Sequence, residues 1–318
     1  MFKITVIIPV LNEQENIDIL VDELNKYFKE QNDFSAEVIF VNDGSTDETL
    51  SKLKSANHFS YSCKIISFSK NFGSHAALRA GILKAEGDYI TFIYADLQDP
   101  LSLIARMFHQ MKEKKSEIVW AFRNSLDGKE KGAFFSGLYA SMMRKYAVSN
   151  FPRKGFDVIM FHKKVKACLD QNVENNSSIF IQILSLGFRQ SSIYYDKRAR
   201  QFGKSKWTLS KKIKLLIDSF VAFSYAPIRL VSLVGMIFFI LGILWTVYII
   251  FRKIAFNDLV SGWPALTSVL MIGFGITNIS LGIIAEYLWR TLDASRKRPV
   301  FIIDEMIEIN KEEKVTYE

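Results

Sequence analysis

Cysteine is nearly absent: Cys63 and Cys168 are the only two in 318 residues. They lie far apart, lack metal-ligand spacing and are too few for a disulfide framework, which leaves them as expected buried thiols in a reducing compartment. Histidine is scarce too, and His75, His109 and His162 are scattered without the spacing of a metal site, so packing or surface roles are expected. No signal peptide is expected, because "MFKITVIIPV" runs straight into a strand-like segment with no basic start, long apolar stretch or small-residue cleavage site. The amino end is therefore expected in the cytosol. Neither a glycine-rich dinucleotide fingerprint nor a G-x-x-x-x-G-K-S/T phosphate loop occurs, and zinc-finger, helix-turn-helix and RNA-binding signatures are missing as well.

Apolar residues make up 49% of the chain, enough for a substantial core, and the net charge is +8. Much of the positive charge sits between Arg189 and Lys214, where nine Lys or Arg stand against one acid, Asp196. Such a stripe suits a polyanion or an anionic membrane face. It leads directly into apolar sequence, which favours membrane lipid and excludes nucleic acid as the expected partner.

Residues 230–251, "LVSLVGMIFFILGILWTVYIIF", carry no charge; as a helix they would span roughly 33 Å, enough to cross a bilayer. A second uncharged run, Trp263 to Ala285, has glycines at 273, 275 and 282 that would let a partner helix approach closely. The expectation is a transmembrane hairpin within 228–289, with spans at about 230–251 and 263–286. Basic residues flank its outer ends, from Lys204 to Arg229 and from Arg290 to Arg298, whereas the connecting loop has only Arg252 and Lys253. Both termini are thus expected to be cytoplasmic. Just upstream, Ile213, Leu216, Ile217, Phe220 and Phe223 recur at roughly helical spacing. They suggest an amphipathic helix over 209–227, lying on the inner leaflet or docked on the preceding domain. The tail, 290–318, is expected in the cytosol, and its end, "IDEMIEINKEEKVTYE" (303–318), reads as a solvated helix.

Residues 1–208 alternate short β-branched runs with helical stretches, the pattern of an α/β domain whose mostly parallel sheet has helices on both faces. In such sheets ligands bind beyond the carboxyl ends of the strands. Two strand ends are acidic there. "EVIFVNDGSTDET" ends a strand at Asp43, an acid able to accept hydrogen bonds from a base or ribose, and Ser45 with Glu48 has capping-box spacing. "ITFIYADLQDP" ends another with Asp96, Gln98 and Asp99. With no preformed phosphate nest, a pyrophosphate would be neutralised most simply by a divalent cation, and the oxygens of Asp96 and Gln98 suit magnesium or manganese.

"VIIPVLNEQENI", "VNDGSTDET", "SFSKNFGSHAALRAG", "YADLQDP" and "RQFGKSKW", in that order and followed by two apolar runs, resemble a family 2 glycosyltransferase of the polyprenyl-phosphate branch. That branch includes dolichyl-phosphate mannose synthases and bactoprenol glucosyltransferases. The resemblance implies a GT-A fold and an integral membrane enzyme, most simply of a bacterial inner membrane. It would transfer sugar from a nucleotide diphosphate donor to undecaprenyl or dolichyl phosphate on the cytoplasmic face, in cell-surface glycan or lipopolysaccharide modification. Relatives also form homo-oligomers. By the same resemblance Pro9, Asn12, Glu13 and Asp43 line the donor pocket, Asp43 contacting the base. Asp96 and Gln98 match the metal and diphosphate site, and Asp157 the proposed catalytic base. Lys197, Arg200, Gly203, Ser205 and Lys206 fall on an R-x-x-R-x-x-G-x-S-K segment that would hold the acceptor phosphate or the departing diphosphate.

The sequence departs from that pattern in four places. Tyr94 replaces the first acid of D-A-D-L-Q-D-P-P, Leu101 its second proline, Lys197 the first arginine of the basic segment, and "GFDVIM" shifts the acid by one position against G-D-F-R-L-M. The nucleophile would be a phosphate monoester with second pKa of about 6, already ionised at neutral pH. Asp157 is accordingly expected to orient the acceptor or stabilise positive charge on the sugar, and in-line attack to invert the anomeric centre. Two alternatives remain at this point: a nucleotide-sugar-binding membrane scaffold without activity, suggested by Tyr94, and a processive polysaccharide synthase, which would call for a Q-x-x-R-W segment and more spans.

Overall fold

The computed structural model describes the chain except residues 57–58, 125–132, 147, 149–150, 153–155, 172–177, 199–225, 257–261, 296–298, 310–313 and 318. The described chain forms two compact units, 1–219 with 299–318, and 220–298.

The first unit is built on β1 (Phe2–Val10), β2 (Phe34–Asn42), β3 (Ser62–Phe68), β4 (Tyr89–Phe92), β5 (Ile118–Arg123), β6 (Val158–His162), β7 (Gln190–Tyr195), β8 (Ile303–Ile309) and β9 (Lys314–Tyr317). They form one sheet in the order β7-β5-β6-β4-β1-β2-β3-β8-β9. Central strands β4, β1, β2 and β3 are parallel, as is β7 to β5. β6, however, runs antiparallel between β4 and β5, and β8 and β9 extend the far edge antiparallel. The expected parallel sheet is thus its centre, and the whole is mixed. The reversal of β6 matters for function. An antiparallel strand begins where its parallel neighbours end, so Asp157, just before β6, falls at the carboxyl edge beside the residues that follow β4.

Between the strands come α1 (Ile17–Lys29), α2 (Thr49–Ser55), α3 (Ser74–Lys84), α4 (Ser102–Lys114), α5 (Ala133–Tyr146), α6 (Lys163–Gln171) and α7 (Ile179–Ser185). Ile17, Leu20, Val21, Leu24 and Phe28 of α1 are buried at helical spacing. They join Leu103, Ile104, Met107 and Met111 of α4 over Ile4, Val6 and Ile8 of β1 in one core on one face. α3 packs on the other face with small residues, Ala76, Ala77, Ala80 and Gly81. A methyl group at Gly81 would stand 2.3 Å from Ile7 Cγ2, so this helix can approach the sheet only with glycine there.

The end of the tail, read as helix from the sequence, is strand over Ile303–Ile309 and Lys314–Tyr317. β8 pairs with β3, and its acids are satisfied by distant lysines: Glu305 by Lys54, Glu308 by Lys64 at 3.5 Å. Phe301 stacks on Phe68 with centroids 5.1 Å apart.

The second unit holds α8 (Ala226–Phe256, 31 residues) and α9 (Trp263–Ser295, 33 residues). Large apolar side chains on both are exposed, including Leu233, Leu244, Phe274 and Leu288. Within α9 the stretch Ile272–Trp289 is long and apolar enough to cross a membrane, and none of it is buried. A Cβ built at Gly273, Gly275 or Gly282 would meet nothing within 4 Å among the described residues. The amphipathic segment expected over 209–227 lies outside the described residues up to 225.

Candidate active site

The loops after β1 and β2 are laced together by backbone-to-side-chain hydrogen bonds. Asn12, with φ of 50°, donates its N–H to Ser45 Oγ at 2.9 Å, and its Oδ1 accepts the Thr46 N–H at 2.8 Å. Glu13 N–H donates to Thr49 Oγ1 at 2.8 Å, while its carboxylate accepts Asn16 Nδ2 at 2.7 Å. Pro9 lies in β1 opposite Val41 of β2. The expected Ser45–Glu48 capping box does not form. The Glu48 N–H that Ser45 would have to accept is taken by Gln14 Oε1 at 3.1 Å, and the Ser45 N–H goes to Asn42 Oδ1 at 3.1 Å, which leaves Ser45 Oγ to the Asn12 N–H; α2 starts at Thr49, whose own N–H donates to Asp47 Oδ1 at 3.0 Å.

Asp43 is buried at the tip of β2 and accepts the backbone N–H of Phe72 at 2.7 Å and of Gly73 at 3.0 Å. It therefore shapes the loop that precedes α3. Gly44 next to it has φ of +68°, and a Cβ there would lie 2.4 Å from the Lys70 carbonyl carbon. On α3, His75 has a buried Nδ1 with no hydrogen-bond partner among the described residues and packs edge-on to Phe180. Burial, with Arg79 nearby, pushes its pKa down to about 4.

Four groups converge past the end of β4. Asp96 Oδ1 accepts the Gln98 N–H at 3.3 Å across a turn in which Leu97 takes φ of 56°. Burial and then the charges of Asp99, Asp157 and Asp96 hold the Tyr94 phenol well above its usual range, so it stays protonated among three acids. Asp157 Oδ2 accepts the Arg123 N–H at 3.2 Å, with the guanidinium Nε 3.9 Å from Oδ1. The carboxyl of Asp99 is raised, chiefly by burial, against the opposing pull of Lys197 and Tyr195. Asp96 and Asp157, far apart in sequence, are thus neighbours.

The start of the basic segment is fastened to this acidic loop. Arg198 N–H donates to the Gln98 carbonyl at 2.9 Å, and Gln98 Nε2 donates to the Arg198 carbonyl at 3.3 Å. Lys197 Nζ is 3.5 Å from Asp99 Oδ1. Arg200, Gly203, Ser205 and Lys206 lie outside the described residues. Asp99, Tyr195 and Arg123 are contacts of this cluster that sequence reasoning passed over. Asp99 stood in the quoted acidic motif, but nothing local marked Tyr195 or Arg123 as its neighbours.

The donor set fits a hard divalent cation only in part. Asp96 carries a carboxylate and Gln98 an amide oxygen, the Gln98 amide nitrogen being turned to the Arg198 carbonyl. No group of three His, Cys, Asp or Glu able to hold a metal occurs among the described residues. Such a site suits an ion that arrives with its own phosphate and water ligands, as magnesium commonly does.

The sequence profile of glycosyl transferase family 2 matches residues 5–172. The glycosyltransferase YkcC of Bacillus subtilis is 31% identical over 306 residues, covering 94% of this chain and 92% of its own. A prophage bactoprenol glucosyl transferase homolog of Escherichia coli is 30% identical, covering 95% and 98%. An undecaprenyl-phosphate 4-deoxy-4-formamido-L-arabinose transferase of Proteus mirabilis is 28% identical, covering 98% and 96%.

Proposed function

We propose that this chain, which belongs to glycosyl transferase family 2 and is a glycosyltransferase, moves a sugar from a nucleotide diphosphate donor to a polyprenyl phosphate at the cytoplasmic face of a bacterial membrane. One observation carries the reading: the acidic loop Asp96–Asp99 and the basic segment beginning at Lys197 and Arg198 are hydrogen-bonded to each other beside Asp157. A diphosphate leaving group needs cations where its charge develops, and an attacking phosphate needs them too. A phosphate oxygen of the acceptor forms the new bond to the anomeric carbon as the bond to the nucleoside diphosphate oxygen breaks, with inversion. Asp157, paired with Arg123, orients the acceptor or stabilises positive charge on the sugar. Asp96 and the Gln98 amide oxygen would hold magnesium or manganese, which when bound neutralises diphosphate charge. Pro9, Asn12, Glu13 and Asp43 frame the donor, and Arg200, Ser205 and Lys206 continue the basic segment.

The lipid acceptor is supported by near full-length similarity to proteins named for bactoprenol and undecaprenyl phosphate, and by the exposed apolar faces of α8 and α9. Chain connectivity supports a two-span hairpin. Residues before and after the apolar unit enter one sheet, since β8 pairs with β3, and a chain that leaves and returns to one domain crosses a bilayer an even number of times. The test is transfer to undecaprenyl phosphate by the detergent-solubilised protein from a panel of UDP-, GDP- and dTDP-linked sugars. A lipid-linked monosaccharide supports the reading. Nucleotide binding without any product would favour the inactive scaffold that Tyr94 suggests, and products of several linked sugars a processive synthase.

A further inference from the structure

Asp99 has no role in the reaction as set out above, yet its side chain is fully buried at the mouth of the sheet. Its Oδ1 accepts the hydroxyl of Tyr195 at 2.6 Å and lies 3.5 Å from Lys197 Nζ. Its Oδ2 is buried without a hydrogen-bond partner among the described residues. Tyr195 is itself buried as the last residue of β7, paired with Arg123, the residue that holds Asp157. Asn124 N–H donates to the Tyr195 carbonyl at 2.8 Å, and one step further Arg198 bonds to the Gln98 carbonyl. A buried carboxylate with one oxygen shared by a phenol and an ammonium group is costly to desolvate, and such a group can in return fix local geometry. What it fixes is the point at which the chain stops being a strand and becomes the basic segment.

We propose that Asp99 is a positioning residue that fastens Tyr195 and Lys197 to the loop after β4, so that the cations of the basic segment meet the phosphates of donor and acceptor. The inference rests on the proposed transfer reaction. Asp99 touches neither substrate; it acts through Lys197.

The test is a mutant cycle on the full-length protein in detergent, with Asp99→Asn, Lys197→Met and the double variant assayed for transfer to undecaprenyl phosphate. Asp99→Asn should lower kcat/KM on the order of 10- to 100-fold, as misplaced positioning groups do, and weaken nucleotide diphosphate affinity measured without acceptor. If Asp99 works through Lys197, the double variant will be no worse than Lys197→Met alone. Losses that multiply, or an Asp99→Asn enzyme as active as wild type, would overturn the proposal. Tyr195→Phe, which keeps the ring and removes one hydrogen bond, should reproduce part of the loss and guards against a merely misfolded variant. Hydrogen exchange supplies a readout independent of turnover: Asp99→Asn should speed exchange of the Arg198 amide and leave β1 amides unchanged. If wild type transfers no sugar while that acceleration is seen, the function assigned above falls and the anchor stands. Unchanged Arg198 exchange overturns the anchor whatever the activity.

Discussion

The carboxylate of Asp43 closes on the backbone of Phe72, accepting its N–H at 2.7 Å, and so joins the tip of β2 to the loop entering α3. Two strand-end loops that would border a nucleotide are made one structure by this buried acid.

Asp43→Ala should therefore act on binding and on stability together. Leaving the Phe72 and Gly73 N–H groups without their acceptor should cost about 1–3 kcal/mol, and nucleotide affinity should fall in step as the loop loosens. Asp43→Asn, which keeps one acceptor oxygen, should fall between Ala and wild type. Calorimetric titration with UDP, GDP and dTDP, alongside thermal unfolding, checks both arms.

Gly44→Ala should be more damaging than Gly73→Ala although both residues have positive φ. A Cβ at Gly44 strikes the Lys70 and Asn71 backbone, whereas one at Gly73 meets nothing within 4 Å. The second substitution should cost roughly 1–3 kcal/mol of backbone strain, φ of 97° with ψ of 155° being a conformation all but confined to glycine, and the first clearly more because backbone must also move. Unfolding midpoints of the two variants in one detergent give the comparison.

The acid limb of stability should contain a contribution from His75. Its pKa is about 4 in the folded protein against an ordinary 6.5, so the unfolded chain takes up the proton first as pH falls. The contribution is fully present above pH 6.5 and is lost progressively toward pH 4, reaching about 3 kcal/mol. His75→Phe should flatten the slope of unfolding midpoint against pH in that window. An unchanged slope would mean that His75 is not buried in its neutral form.

Phe301→Ala should destabilise the first unit by about 1–3 kcal/mol, because it removes an aromatic stacked on Phe68 at the edge where β8 joins β3. The loss should be visible in denaturant unfolding, and hydrogen exchange in β3 should accelerate. A change confined to residues 299–318 would show that the tail is only loosely attached.

The sequence carried the strand-end logic well because that logic is local. A run such as Ile90–Ile93 must be buried, so the acids that follow it must emerge at an edge, and Asp43 and Asp96 were found in this way. What stayed hidden depends on pairs made across the chain. Tyr195 and Asp99 are 96 residues apart, and neither advertises the other. Tail residues Glu305 and Glu308 look solvated until Lys54 and Lys64 are brought beside them, which is why a strand read as a helix. The capping box failed for the same reason, since the Glu48 N–H it needs is taken by Gln14 from the loop after β1. The direction of β6 was equally invisible in its five-residue run, yet it is what puts Asp157 beside Asp96.

The most direct measurement is mass spectrometry of the lipid extract after incubating purified protein with undecaprenyl phosphate, the nucleotide-sugar panel and magnesium or manganese, run beside Asp96→Ala and an EDTA control. The account predicts undecaprenyl phosphate carrying one sugar from one donor of the panel with wild type, and loss of that product in both controls. Wild-type protein that binds nucleotide yet forms no glycolipid with any donor or metal would contradict it.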